Sequence, residues 1–455
     1  MDILLPLLSG GMLILSFPKF NCYLLAYVAL VPLLVCLKRS RSTLHAMIYG
    51  FMCGLIYMGG VLFWVNILSR WAGLWVNLAW LALAVFQAVF IAIFSGAYKI
   101  SFDKYPKYSL LAAPLLWVFI EWIRSLGPYG VTGGGLGYSQ TELLPILQVA
   151  SIASVYGISF IIVMVNEAIT KTILERKARY LALAILVLLA SFLFGYYRIS
   201  TFRESGKPIE IAVIQANIDQ DVKMDFGLAF QIVDTHENMS RKALSQHPDL
   251  VIWPETAVTT YLLESNKILP GIRKLVRESG AYYLIGTPYR EKDKIYNSVV
   301  AFSKAGELIG RYDKQRLVPF GEYLPLRPLF YSLLQENPLF AEDYNGDPRP
   351  AIIDIGIAKV GVVICFESTL PYMVRDRVRR GAQFILVATN DAWFFDTAAC
   401  YQHIQAARLR AVENNMYVVQ AANTGISAII DPLGRVVMKS DVGQPTVMIG
   451  KVYVH

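Results

Sequence analysis

Charge, cysteine and histidine are all scarce in this sequence. Only 17% of its 455 residues are charged, against about 25% in an ordinary soluble domain. Hydrophobic residues make up 55%, and the mean hydropathy is +0.45. That shortage excludes a chain that is water-soluble throughout and calls for a bilayer-embedded portion. The five cysteines are Cys22, Cys36, Cys53, Cys365 and Cys400, too few and odd in number for a disulfide framework. No CxxC or HExxH occurs and the five histidines are scattered, so neither metal nor cofactor is expected. The net charge of +8 forms no basic stripe with interleaved aromatics, so nucleic acid is not an expected partner. Low-complexity tracts are absent as well, and the half beyond residue 200 shows no internal repeat.

What the first 200 residues do have is long apolar runs. They fall near Ile3–Phe17, Tyr23–Leu37, Leu44–Leu68, Leu74–Tyr98, Leu110–Ile123, Ile146–Thr170 and Tyr180–Tyr197. A span needs about 20 largely apolar residues, so the first, second and fifth need interfacial flanks to cross. The first run has little charge at its start and no clear A-x-A site, and is read as a retained helix rather than a signal. With the N-terminus inside, the inner linkers carry Lys38, Arg39, Arg41, Lys99, Lys104, Lys107, Lys171, Arg176, Lys177 and Arg179. The outer linkers carry only Lys19, Arg70 and Arg124. That bias fits the positive-inside rule, and seven spans then put everything after Tyr197 on the outer side. A helical bundle over 1–200 is the expectation.

Beyond the polar link "RISTFRESGKP" the pattern changes to short β-branched runs alternating with helical stretches. The runs are 209–218, 249–256, 282–289, 297–303, 358–368, 383–391, 416–423 and 427–437; Gly227–Gln246 and Tyr401–Asn415 read as helices. This alternation predicts an α/β domain over 207–455, with helices on the faces of its sheet.

In such sheets functional groups gather beyond the carboxyl ends of strands. Those ends supply Gln215, Asn217, Glu255 in "VIWPETAV", Cys365 and Glu367 in "VVICFES", and Asn390 and Asp391. Between them, "GRYDKQRLVPFGEYLP" adds Lys314 and Glu322. A thiol, a cation and a carboxylate suffice for acyl transfer: the cation lowers the thiol pKa and the carboxylate takes its proton. Glu255 would be the base, Lys314 the oxyanion partner and Cys365 the nucleophile. Each has a plainer reading. A lone cysteine is usually a buried core residue, a lone lysine is usually solvated, and Glu255 could be an acid at a helix start. Spacing leaves both readings open; Cys400, with no strand before it, reads as structural.

"VIWPETA", "YDKQRLVPFGEYLP", "VVICFES" and "TNDAWF" resemble, in order, the glutamate, lysine, cysteine and post-cysteine blocks of the nitrilase (carbon–nitrogen hydrolase) superfamily. "EWIRS" (121–125), "GYSQ" (137–140) and "NDAWFFDTAACYQHIQAARLRAVENN" further resemble the bacterial apolipoprotein N-acyltransferases, over nearly the whole chain. The resemblance implies a nitrilase-like α-β-β-α sandwich after a membrane bundle of about seven helices, with Glu255, Lys314 and Cys365 as the triad. It implies Glu322, Glu367, Phe366 and Asn390 as auxiliary residues, and Trp253, Met224 and Trp393 as substrate contacts. The implied reaction passes an acyl chain from a membrane phospholipid to Cys365, then to the amine of a diacylated apolipoprotein. The implied location is the bacterial inner membrane, multi-pass, with the catalytic domain facing the periplasm. Phe366 stands where the family commonly has tyrosine, Met224 where tryptophan is expected, and the closing membrane helix of the family does not follow "VMIGKVYVH". Rival readings are a membrane-anchored amidase using the same triad and a catalytically silent scaffold.

The segment 323–350 is long for a connection and rich in apolar residues. Leu329 and Phe330 are expected there as lipid-touching residues of a lid. The glycine-rich "GPYGVTGGGLGYSQ" lacks the ending of a phosphate loop and reads as an irregular outer loop. Glu121 and Arg124 at a span's end read as a pair near lipid headgroups.

Overall fold

Every one of the seven apolar runs is helical in the computed structural model, which describes residues 3–328, 342–349 and 352–455. Among the described residues four helices are long and apolar enough to cross a membrane: Thr43–Val61, Trp75–Lys104, Ala150–Glu175 and Arg179–Thr201. The helix Leu4–Leu15 is apolar but has 12 residues, about 18 Å of rise against about 30 Å of hydrocarbon. Ser109–Arg124 has 16 residues with Pro114 inside. The run from Tyr23 is not one helix but a short turn, Ala26–Ala29 and Val31–Arg39. Asn166 makes that break tolerable. Its Oδ1 accepts from Leu30 N and its Nδ2 donates to Ala26 O, both at 2.8 Å, so freed backbone groups are satisfied without water.

These helices belong to a unit spanning Met1–Phe202, distinct from Arg203–His455. Close packing in the first unit depends on small residues. A Cβ at Gly50 would lie 2.2 Å from Ser95 Oγ and 2.7 Å from Ile91 O, so Thr43–Val61 and Trp75–Lys104 meet almost backbone to backbone. Its buried charges are partnered: Lys38 Nζ sits 2.7 Å from Glu167 Oε1, and Tyr98 OH donates to Glu167 Oε2 at 2.9 Å. Glu121 and Arg124 do not bond to each other. Each fastens the glycine-rich loop, Glu121 by accepting from Leu136 N at 2.8 Å and Arg124 by donating to Gly133 O at 3.2 Å.

The second unit is two six-stranded sheets. The first contains β1 (Lys207–Gln215), β2 (Leu250–Ile252), β3 (Tyr282–Glu291), β4 (Lys294–Phe302), β5 (Leu308–Asp313) and β12 (Thr446–Val454), in the order β12-β1-β2-β3-β4-β5. The second contains β6 (Ile352–Asp354), β7 (Lys359–Ile364), β8 (Phe384–Thr389), β9 (Val418–Ala422), β10 (Ala428–Ile430) and β11 (Val436–Lys439), in the order β11-β10-β9-β8-β7-β6. Pairing is parallel along β1-β2-β3 and β7-β8-β9 and antiparallel elsewhere. The parallel strands share one carboxyl rim in each sheet.

Strand alternation builds the layers. Ile211, Val213, Leu250 and Ile252 meet Val360, Val362, Ile364 and Leu386 in a core between the sheets. The opposite faces pack on helices Ala229–Ala243 and Leu269–Ser279 in one sheet, and on Pro371–Arg379 and Ala398–Asn414 in the other. This is the α-β-β-α sandwich. Three strands, β5, β6 and β12, go beyond the eight read from sequence. The run 427–437 is two strands around an Asp431–Gly434 turn, where Gly434 has φ +77°.

Candidate active site

The site is assembled from chain ends just past β2, β5, β7 and β8. Glu255 lies three residues after β2, in a turn that presses against β3. A Cβ on Gly286 would fall 2.1 Å from Pro254 O, so only glycine lets the turn settle there. Thr256 is left-handed, with φ +46°. Glu255 Oε1 accepts from Asn297 Nδ2 at 2.6 Å, and Oε2 accepts from Asn390 N at 2.7 Å.

Lys314 directly follows β5 and is buried. Its backbone N donates to Asn297 O at 2.8 Å. Its Nζ lies 2.8 Å from Glu322 Oε1 and 3.5 Å from Glu255 Oε1. Burial pulls the Lys314 pKa down, but Glu322 and Glu255 outweigh it and hold the ammonium above its ordinary value. Glu322 is fixed in turn by Val318 N (2.9 Å) and Asn297 Nδ2 (3.0 Å). One cation therefore serves two carboxylates, with Asn297 as their common donor.

Cys365 is the first residue after β7, half-buried, with φ +52°. A non-glycine residue held there is strained, and such strain gathers at functional sites. Its carbonyl accepts from Ser368 Oγ at 2.9 Å. Burial and Glu255 push the thiol pKa well up, while the pull of Lys314 is the smaller effect. The expected lowering by the cation is present but is outweighed by burial and by Glu255. At neutral pH the sulfur keeps its proton until something takes it.

Residues 210–454 match the carbon-nitrogen hydrolase family, and residues 9–168 match the apolipoprotein N-acyltransferase N-terminal domain. The apolipoprotein N-acyltransferase of Geobacter metallireducens is 36% identical, covering 99% of this chain and 89% of its own length. That of Methylococcus capsulatus is 32% identical (96% and 87%), and that of Aquifex aeolicus 31% (98% of each). The chain belongs to the apolipoprotein N-acyltransferase family. Its second unit is a carbon–nitrogen hydrolase fold put to acyl transfer.

In this member of the family the other expected residues divide by position. Glu367 does not face the sulfur. Its carboxylate accepts from Ile364 N (2.8 Å), Tyr312 OH (2.7 Å), Gln315 N (2.7 Å) and Arg316 N (2.8 Å). It ties the end of β7 to the turn that carries Lys314, and burial lifts its pKa above the ordinary carboxylate range. Asn390 acts through its backbone on Glu255. Its side chain is spent on Gln220 and Asn423, both at 2.9 Å. Phe366 is half-buried and packs on the outer apolar cluster.

Trp253 is implied by the resemblance as a substrate contact. It is fully buried, because the alternation that sends Ile252 inward sends Trp253 to the helical layer, where Nε1 donates to Ser240 Oγ at 2.8 Å. Met224 ends the short helix Gln220–Met224 and is exposed; Trp393 is half-buried in the turn Asp391–Phe394. Leu329 and Phe330 lie outside the described residues. Asn297, Lys223 and His403 were missed by sequence reading. Asn297 left one signal, an amide just before the apolar run 299–302 of its strand. The other two left none, since a lysine and a histidine on polar helices look solvated.

Proposed function

We propose that Cys365, Glu255 and Lys314 transfer an acyl chain from a phospholipid to the α-amine of a diacylglyceryl-cysteine lipoprotein. As the Cys365 sulfur attacks the ester carbon, its proton passes to Glu255. The oxyanion forms against Lys314 Nζ, whose charge in a buried site acts strongly on developing charge. Collapse breaks the bond to the glycerol oxygen, which takes the proton from Glu255 and leaves as a lysophospholipid. The lipoprotein amine then attacks the thioester, gives a proton to Glu255, and expels sulfur, which recovers that proton. Every atom and proton is accounted for, so no cofactor or metal is required. Glu322 and Asn297 hold Lys314 and Glu255 in register throughout.

The observation that carries this reading is Lys314 Nζ held 2.8 Å and 3.5 Å from two carboxylates beside a thiol kept protonated by its surroundings. A base that takes the proton only during attack fits a sulfur that is a thiol at rest. The membrane-spanning reading completes it. Seven runs, the short ones completed by interfacial flanks, and the lysine and arginine bias support a catalytic unit on the periplasmic side of the inner membrane, where both lipid-anchored substrates would present their headgroups.

The test uses the purified full chain in detergent with acyl-labelled phospholipid. A hydroxylamine-sensitive label on Cys365, absent in Cys365→Ala, is the expected result. A diacylated lipopeptide should then discharge it, and an N-acetylated one should not. No label in the wild type, or label persisting in Cys365→Ala, overturns the mechanism. Discharge by water as fast as by amine would make the protein a hydrolase.

A further inference from the structure

Beneath the nucleophile lies a pair that the proposed chemistry leaves unused. His403, on the helix Ala398–Asn414, is buried, and so is Asp391 at the end of β8. His403 Nδ1 is 3.1 Å from Asp391 Oδ1. Its Nε2 is 3.1 Å from Cys365 O and 2.8 Å from Ser368 Oγ. The Thr389 hydroxyl donates to Asp391 Oδ1 at 3.0 Å and the Ser368 hydroxyl to Cys365 O at 2.9 Å. Each ring nitrogen faces an acceptor, Asp391 Oδ1 on one side and Cys365 O on the other, and the imidazolium has a proton for both.

We propose that Asp391 and His403 form a positioning ion pair whose cationic ring clamps the Cys365 carbonyl and so holds the nucleophile in its left-handed conformation. This rests on the reading of Cys365 as the nucleophile. Three features support it. Cys365 has φ +52°, a conformation that a β-strand end does not adopt unaided. Its carbonyl lies within hydrogen-bond distance of two groups, His403 Nε2 at 3.1 Å and Ser368 Oγ at 2.9 Å. Asp391 is pressed into place from the far side, because a Cβ on Gly425 would lie 2.2 Å from Asp391 Oδ2.

The charged groups acting on the ring are Asp391, beyond β8, and Glu255, beyond β2; the Cys365 backbone also favours the charged form. Burial works against the cation, yet these influences hold the His403 pKa above its ordinary value. The sign follows. The clamp is complete below the ordinary histidine range and is lost as pH rises through that raised value.

The experiment compares full-length wild type, His403→Gln and Asp391→Asn in detergent, each first checked by thermal melting. Acyl loading of His403→Gln should be about tenfold or more slower than wild type at pH 6, with the ratio shrinking as pH rises. Asp391→Asn should move the fall in loading to lower pH, since the charge that retains the proton is gone. A ratio constant with pH, or an unchanged midpoint in Asp391→Asn, overturns the proposal. A second measurement needs neither variant nor acyl donor. Iodoacetamide modification of wild-type Cys365 is followed by peptide mass spectrometry, with the exposed Cys22 as internal reference. The Cys365 to Cys22 rate ratio should fall across the same pH window, and a flat or rising ratio overturns the clamp. Because no lipid is involved, the clamp can stand even if thioester formation is never seen.

Discussion

At the scale of single residues, Asn297 is the least obvious member of the site and the most exposed to test. One Nδ2 group donates to Glu255 Oε1 and to Glu322 Oε1. Hydrogen bonds to charged groups contribute about 1.5–3 kcal/mol each. Asn297→Ala should therefore slow acyl loading by roughly ten- to a hundredfold, read as thioester formed per minute, with Lys314 and Glu255 still present. Lys223 offers a second test, through stability. It is buried, its Nζ donates to Glu255 O at 3.1 Å, and burial brings its pKa down to about 7. An unfolded lysine titrates near 10.4, so between about pH 7 and 10 the unfolded chain binds the extra proton. Stability of the second unit should rise with pH across that window. Lys223→Met should flatten the rise in denaturation midpoints measured from pH 7 to 9.

At the scale of elements, the site is a set of strand ends fastened to one another rather than a cluster of free side chains. Glu367 joins β7 to the turn after β5 through four accepted hydrogen bonds. Glu367→Gln keeps the shape but replaces an acceptor by a donor that faces donors. It should lower stability by about 1–3 kcal/mol, visible in the melt, and slow acyl loading because Lys314 rides on that turn. Gly425→Ala should act from the other side. Its new methyl must displace Asp391, so Cys365 alkylation should slow even at acid pH while secondary structure is kept. The short β2 explains why the glutamate is where it is. Proline at 254 has no N–H to continue the ladder, so the chain leaves the sheet and turns at the rim.

At the scale of the whole molecule, two units of different physics share one chain. The unit Arg203–His455 has its own core between the sheets, so residues 203–455 expressed alone should give a cooperative melt. Leu386→Ala in that core should cost about 2–5 kcal/mol. The same fragment should still alkylate at Cys365 yet load poorly from phospholipid vesicles, because the tether that concentrates it at the bilayer is missing. Vesicle loading at the full-length rate would show that the first unit contributes nothing to lipid access.

The sequence by itself determined the division into an apolar helical half and an α/β half, because hydropathy and period are local properties of the chain. It also held the candidate residues, a carboxylate, a lysine and a cysteine near the ends of β2, β5 and β7, in blocks whose order resembles the family. The tertiary structure decided the rest, for reasons that lie between distant residues. Whether a run of 15 apolar residues continues as one helix depends on a partner such as Asn166, more than a hundred positions away. Which way Trp253 points depends on where β2 ends. That the Cys365 thiol pKa is pushed up follows from burial and Glu255 outweighing Lys314. His403, invisible among ordinary polar helix positions, reaches the nucleophile only because β7, β8 and the helix after them lie side by side.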